Sequence, residues 1–78
     1  TSSYEIISAY PNPSAGIITI RGITNARLRV FNNHGRLMSE IPGYDDGETI
    51  NLCDYPGGVY YIMIETSAGI IIRKIIKL

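Results

Sequence analysis

The sequence predicts an all-β chain folded as an antiparallel β-sandwich of about seven strands in a single domain. Its length of 78 residues is near the lower end of what folds alone, so the core must be dense in large aliphatics. Fifteen isoleucines meet that demand, and isoleucine, stiff at its first side-chain torsion, packs well on a pleated surface. Apolar and polar residues alternate in short runs broken by turn signals about every ten residues, the spacing of a sandwich or barrel.

Taken in order, Tyr4 to Tyr10 reads as the first strand, stopped by Pro11-Asn12-Pro13. Gly16 to Arg21 alternates, with Ile18 and Ile20 on one face and Thr19 and Arg21 on the other. Ala26 to Asn32 repeats this, Leu28 and Val30 inward and Arg27 and Arg29 outward. Asn33-His34-Gly35 supplies a tight turn, because Asn and Gly tolerate positive φ. Arg36 to Ile41 returns, closing a hairpin over 26–41, and Pro42 to Gly47 reads as a longer connection. Glu48 to Leu52 is a short strand with Ile50 and Leu52 inward, followed by a Pro-Gly break within Cys53 to Gly58. Val59 to Thr66 and Ile70 to Leu78 form the final hairpin across Ser67-Ala68-Gly69. Parts of these last two runs are apolar on both faces, as in strands covered on both sides. One face suits the opposing sheet and the other a preceding domain or partner. No stretch shows the 3.6-residue period of a helix.

Composition narrows the function. Seven basic and seven acidic residues cancel, so no net field argues for nucleic acid, DNA included, or for an anionic membrane surface. The longest apolar runs fall far short of the ~20 residues a spanning helix needs. The opening Thr1-Ser2-Ser3 lacks both Met and a signal segment, and reads as the start of a piece excised from a longer polypeptide.

Catalytic groups are scarce. Cys53 is the only cysteine and His34 the only histidine, too few for a four-ligand structural zinc site. A Cys53–His34 dyad would need two distant loops to meet. No cofactor or catalytic residue is expected. Asp45-Asp46-Gly47-Glu48 could gather oxygens around calcium, but also reads as a plain turn in which Asp accepts local backbone bonds. Of six tyrosines, only Tyr44 and Tyr55 fall in expected loops, a thin basis for stacking on sugars.

Several short motifs are more specific as a set. Tyr10-Pro11-Asn12-Pro13 follows the first strand; Phe31 and then Gly35-Arg36-Leu37 span a hairpin turn; Pro56-Gly57-Gly58-Val59-Tyr60 opens the penultimate strand; Gly69 and Arg73-Lys74-Ile75-Ile76-Lys77 belong to the last one. In order and spacing they resemble the type A C-terminal sorting domain of the type IX secretion system of Bacteroidetes, over nearly all of residues 8–78. Tyr55 departs from the pattern, standing where that family usually has Leu.

The resemblance implies an immunoglobulin-like sandwich and a non-catalytic signal. Such domains end cargo proteins that cross the inner membrane by the Sec route and are then recognised by the outer-membrane translocon. A sortase-like cysteine peptidase usually removes the domain and joins the cargo to a surface lipopolysaccharide, leaving it at the cell surface or secreted. The residues expected to carry the signal are Gly58, Tyr60, Gly69, Arg73, Lys74, Ile75, Ile76, Lys77 and Leu78. Pro11, Asn12, Pro13 and Gly35 are expected as fold determinants. Gly58 is expected to allow close backbone approach, and Tyr60 to pack its ring while its hydroxyl finds a backbone partner. The last strand is expected at a sheet edge, where a partner strand can add through main-chain bonds. Its lysines would deter premature self-pairing or simply solvate the edge. In isolation a homodimer by strand exchange is also expected. Two other readings remain: a generic immunoglobulin-like or fibronectin-like accessory module, and a carbohydrate-binding module built on Tyr44 and Tyr55.

Overall fold

The computed structural model describes residues 8–11 and 13–78. Among these residues seven strands are present: β1 (Ser8–Tyr10), β2 (Ile17–Arg21), β3 (Ala26–Asn32), β4 (Leu37–Tyr44), β5 (Thr49–Asn51), β6 (Gly58–Thr66) and β7 (Gly69–Lys77). They form a three-stranded sheet, order β1-β2-β5, and a four-stranded sheet, order β4-β3-β6-β7. Every strand pairing is antiparallel, and no helix occurs among the described residues. The chain is an all-β sandwich. The expected start of the first strand, residues 4–7, and Asn12 lie outside the described residues.

Alternation decides which side chains meet between the sheets, because successive residues of a strand point to opposite faces. Ile18, Ile20 and Ile50 come from the smaller sheet, and Leu52 follows β5; Leu28, Val30, Ile62, Ile64 and Ile75 come from the larger, and all are buried. Each such side chain contributes roughly 1.5–3 kcal/mol by leaving water. Opposite them, on the outer face of the larger sheet, Ile70, Ile72 and Ile76 stay exposed. The doubly apolar last strands are therefore covered on one face within this chain.

One element departs from the sequence reading. β4 continues through Pro42-Gly43 to Tyr44, where a connection after Ile41 is expected. β4 ends its sheet, and an edge strand accepts a proline because an amide facing outward has no ladder partner. The surplus residues are taken up in bulges. Between Ala26↔Tyr44 and Leu28↔Ile41, β3 advances two positions while β4 advances three, and a second shift lies between Val30 and Phe31.

Connections that change sheets tie the sandwich together at one end. Residues 22–25 lead from β2 to β3, and residues 45–48 lead from β4 to β5. Between them the Tyr44 hydroxyl accepts the Ile20 amide at 2.9 Å and donates to the Glu48 carbonyl. Asp46 accepts the Gly22 amide at 2.6 Å and pairs with Arg21 at 3.2 Å, while Asp45 accepts the Asn25 amide at 3.1 Å. The acidic side chains thus make cross-connection bonds, while the turn's local bonds run from the Asp45 amide to the Glu48 carboxylate and from the Glu48 amide to the Asp45 carbonyl, each at 3.1 Å. Gly47 does take positive φ, at 86°.

Candidate functional site

The opposite end of the sandwich gathers the motif residues. β7 is the last strand of the larger sheet and pairs with β6 in unbroken register, from Gly58↔Lys77 to Thr66↔Gly69. On its other side, among the described residues, Ser14 forms a parallel bridge to Lys77. The Ser14 amide donates to the Ile76 carbonyl, and the Leu78 amide donates to the Ser14 carbonyl, both at 2.8 Å. Ser14 is itself buried, its hydroxyl donating to the Ile17 carbonyl and accepting the Gly16 amide, each at 3.0 Å. The segment that follows Pro11 and Pro13 is thereby anchored against the end of β7.

The Pro56–Tyr60 motif abuts the same strand end. A side chain at Gly57 would sit 3.2 Å from the Leu78 carbonyl carbon and 3.4 Å from the Lys77 carbonyl oxygen, so only glycine fits without displacing backbone. The close approach expected at Gly58 belongs to Gly57; nothing lies within 4 Å of a side chain at Gly58. Gly58 is needed for its backbone angle instead, with φ at 155°. Tyr60 behaves as expected, its ring buried and its hydroxyl donating to the Pro56 carbonyl at 2.6 Å.

Tyr55, the departure from the family pattern, has a defined role. Its ring stacks on Tyr60 with centroids 5.8 Å apart, and its hydroxyl donates to the Met38 carbonyl at 3.0 Å. Tyr44 is 1% exposed. The loop tyrosines that would have stacked on a sugar are therefore structural, one buried and one half-buried.

The β3–β4 turn completes this end. Gly35 adopts φ of 81° and its amide donates to the Asn32 carbonyl at 3.0 Å. The Asn32 side chain accepts the His34 and Arg36 amides. A shallow cavity of about 190 Å³ lies between this turn and the Pro56–Tyr60 segment, lined by Asn32, His34, Met38, Gly57, Gly58 and Tyr60 among others. Cys53 is exposed and sits against Gly16, in the connection after β5.

The expected signal residues divide by role. Ile75 and Tyr60 belong to the core, paired across β6 and β7. Gly69 closes a two-residue hairpin with Thr66, whose hydroxyl donates to the Gly69 carbonyl at 3.2 Å. Arg73 and Lys77 are half-buried, whereas Lys74, Ile76 and Leu78 are exposed. On the outer face of the same sheet Arg29 pairs with Glu40 at 2.8 Å, which holds the Glu40 carboxyl below its ordinary pKa and raises that of Arg29. No group of three or more metal-ligating side chains is placed together among the described residues, so Asp45, Asp46 and Glu48 do not form a calcium cage.

Tyr44, at the far end of the sandwich, is a buried residue that sequence reasoning places in a loop, since it lies between Pro-Gly and an acidic turn, both loop signals. The one available hint is its place after Ala26-to-Ile41 alternation, which a bulge obscures.

Residues 8–78 match the family described as Secretion system C-terminal sorting domain. The chain belongs to that family. It is a C-terminal sorting signal for type IX secretion, and the family implies a Bacteroidetes setting. No curated protein matches the sequence. For this sorting domain the match spans every motif gathered at the β7 end, from Tyr10 to the last residue of the sequence. Sorting implies contact with the type IX secretion machinery and passage across the outer membrane.

Proposed function

We propose that this sorting domain, taken as one domain over residues 1–78, carries an attached cargo through the outer-membrane translocon and delivers it for attachment at the cell surface. The element recognised is the β7 end of the sandwich. Exposed Lys74, Ile76 and Leu78, with half-buried Lys77, are read on a strand held in place by Gly58, Tyr60, Gly69, Arg73 and Ile75. Pro11, Pro13 and Gly35 shape the flanking segments. A sortase-like cysteine peptidase acts afterwards, and no cofactor or catalytic residue of the domain takes part. The observation that carries this reading is the convergence of separate family motifs on one strand end: Ser14 after the prolines, Gly57 before Gly58, and the Gly35 turn across the cavity. Fold stability alone does not require motifs remote in sequence to meet beside one edge strand.

The test is to fuse residues 1–78 to a periplasmic reporter in a type IX-competent cell and follow the reporter to the surface. Deleting Lys74 to Leu78 is expected to abolish export. Because Ile75 is fully buried, that deletion also loosens the fold, so a second variant is needed. Lys74→Glu with Lys77→Glu keeps the core and is expected to lower surface delivery at least several-fold. Undiminished export of both variants would leave a generic accessory module as the better account.

A further inference from the structure

We propose that Asp46-Gly47 is a latent isomerisation site, held off by the folded sandwich, at which a chain left unfolded converts one way into a less stable isoaspartyl form. The site lies at the far end of the sandwich from β7 and is independent of the export reading. In an Asp-Gly dipeptide the side-chain carboxyl and the following amide meet freely, because glycine puts no side chain between them. The Gly47 nitrogen attacks the Asp46 Cγ of the neutral carboxyl. The amide proton and the carboxyl hydroxyl leave together as water, and a five-membered succinimide forms. Water then opens the ring at the former main-chain carbonyl, so that the chain runs to Gly47 through the Asp46 Cβ and Cγ. One water leaves and one returns, and no other reactant is needed.

The fold both demands this dipeptide and disarms it. Gly47 has φ of 86°, and a side chain there would lie 3.0 Å from an Arg21 guanidinium nitrogen, so glycine is favoured on both counts. Asp46 is fixed by its bonds: Oδ1 accepts the Gly22 amide at 2.6 Å and Oδ2 the Arg21 guanidinium at 3.2 Å. The Gly47 amide donates to the Ile20 carbonyl at 3.1 Å. Electrophile and nucleophile are therefore pinned to three consecutive residues at the end of β2, and they can turn toward each other only when that end opens. The Tyr44 hydroxyl, bonded to the Ile20 amide and the Glu48 carbonyl, closes the same end. After isomerisation the main chain is longer by one carbon between residues 46 and 47, and the free carboxylate sits directly on Cα. The bonds to Ile20, Arg21 and Gly22 then cannot all re-form.

The 78-residue chain is held for weeks at neutral pH, folded and in about 6 M guanidinium chloride. Isoaspartate is counted by enzymatic methylation and placed by fragmentation that distinguishes the two linkages. The denatured chain is expected to accumulate it at residue 46 at least about ten-fold faster, since in the folded chain only the opened fraction reacts. Arg21→Ala removes one exposed pin; folded, it is expected to isomerise about two- to five-fold faster than the parent, and in denaturant at the parent's rate. The isoaspartyl chain, freed of denaturant, is expected to melt at least about 5 °C below the parent. Equal rates in the folded and denatured parent overturn the proposal. So does an isoaspartyl chain that melts with the parent, or a cooperatively melting Arg21→Ala whose folded rate is the parent's. If Arg21→Ala fails to fold, the parent's two rates and the melting of its isoaspartyl form decide.

Discussion

The hydroxyl of Tyr44 lies between the Ile20 amide and the Glu48 carbonyl, at a point where the chain twice changes sheets. Tyr44→Phe leaves the buried Ile20 amide without its acceptor, a loss worth about 1–3 kcal/mol, which urea unfolding would register as a lower midpoint at unchanged slope. Burial also raises the Tyr44 pKa above the ordinary tyrosine value. The folded state thus prefers the neutral phenol. Its contribution is complete below a pH of about 10 and is lost as pH climbs through the raised folded value. Alkaline titration of stability should therefore fall less steeply in Tyr44→Phe than in the parent chain. Glu40 has the opposite sign: beside Arg29 its pKa is lowered, so its contribution is present above the ordinary carboxylate range and is lost as pH falls through the lowered value. Exposure of that pair keeps the effect small. None of this could be read from Tyr44 in the sequence, where Pro42, Gly43 and two aspartates all signal a loop.

At the level of strands, alternation is a reliable guide wherever a face is buried. Ile18 and Ile20, Leu28 and Val30, and Ile50 and Leu52 all point inward as their spacing implies. The failure is at β4, because turn propensity is local whereas edge position is a property of the assembled sheet. The motif glycines show the same division. Gly35 is legible as a turn residue, but the requirement at Gly57 arises from Leu78, 21 positions away. This difference is measurable. Gly57→Ala should shift the Lys77–Leu78 backbone and lower the melting temperature. Gly43→Ala, with nothing within 4 Å of the added carbon, should be close to neutral. Equal effects of the two would mean that the β7 end does not depend on Gly57 for its packing.

The whole molecule has little stability to spare. A domain of this size holds roughly 4–12 kcal/mol against unfolding, and its buried aliphatics are concentrated in one layer between two small sheets. Ile62→Ala, at a fully buried position of a central strand, should remove about 2–5 kcal/mol and lower the thermal midpoint by roughly 10 °C or more. Calorimetry checks this directly. Export of an attached reporter by the same variant would distinguish recognition of a folded surface from recognition of the β7 sequence alone; a folded-surface signal predicts that delivery falls with stability. The general architecture and the family could be read from periodicity and motif order. The convergence of those motifs could not, because it depends on tertiary contacts, the Ser14–Lys77 bridge and the approach of Gly57 to Leu78 among them, that no local pattern encodes.

That bridge has a mechanical consequence. Ser14 and β7 run parallel, so tension applied upstream of residue 14 and downstream of residue 77 slides the two segments past each other instead of peeling them apart. Both main-chain bonds then carry the load together and must rupture together. Pulling through handles attached at residues 8 and 78 should meet more resistance than pulling apart the β6–β7 hairpin from its turn, where bonds yield one after another, and Ser14→Pro should erase the difference.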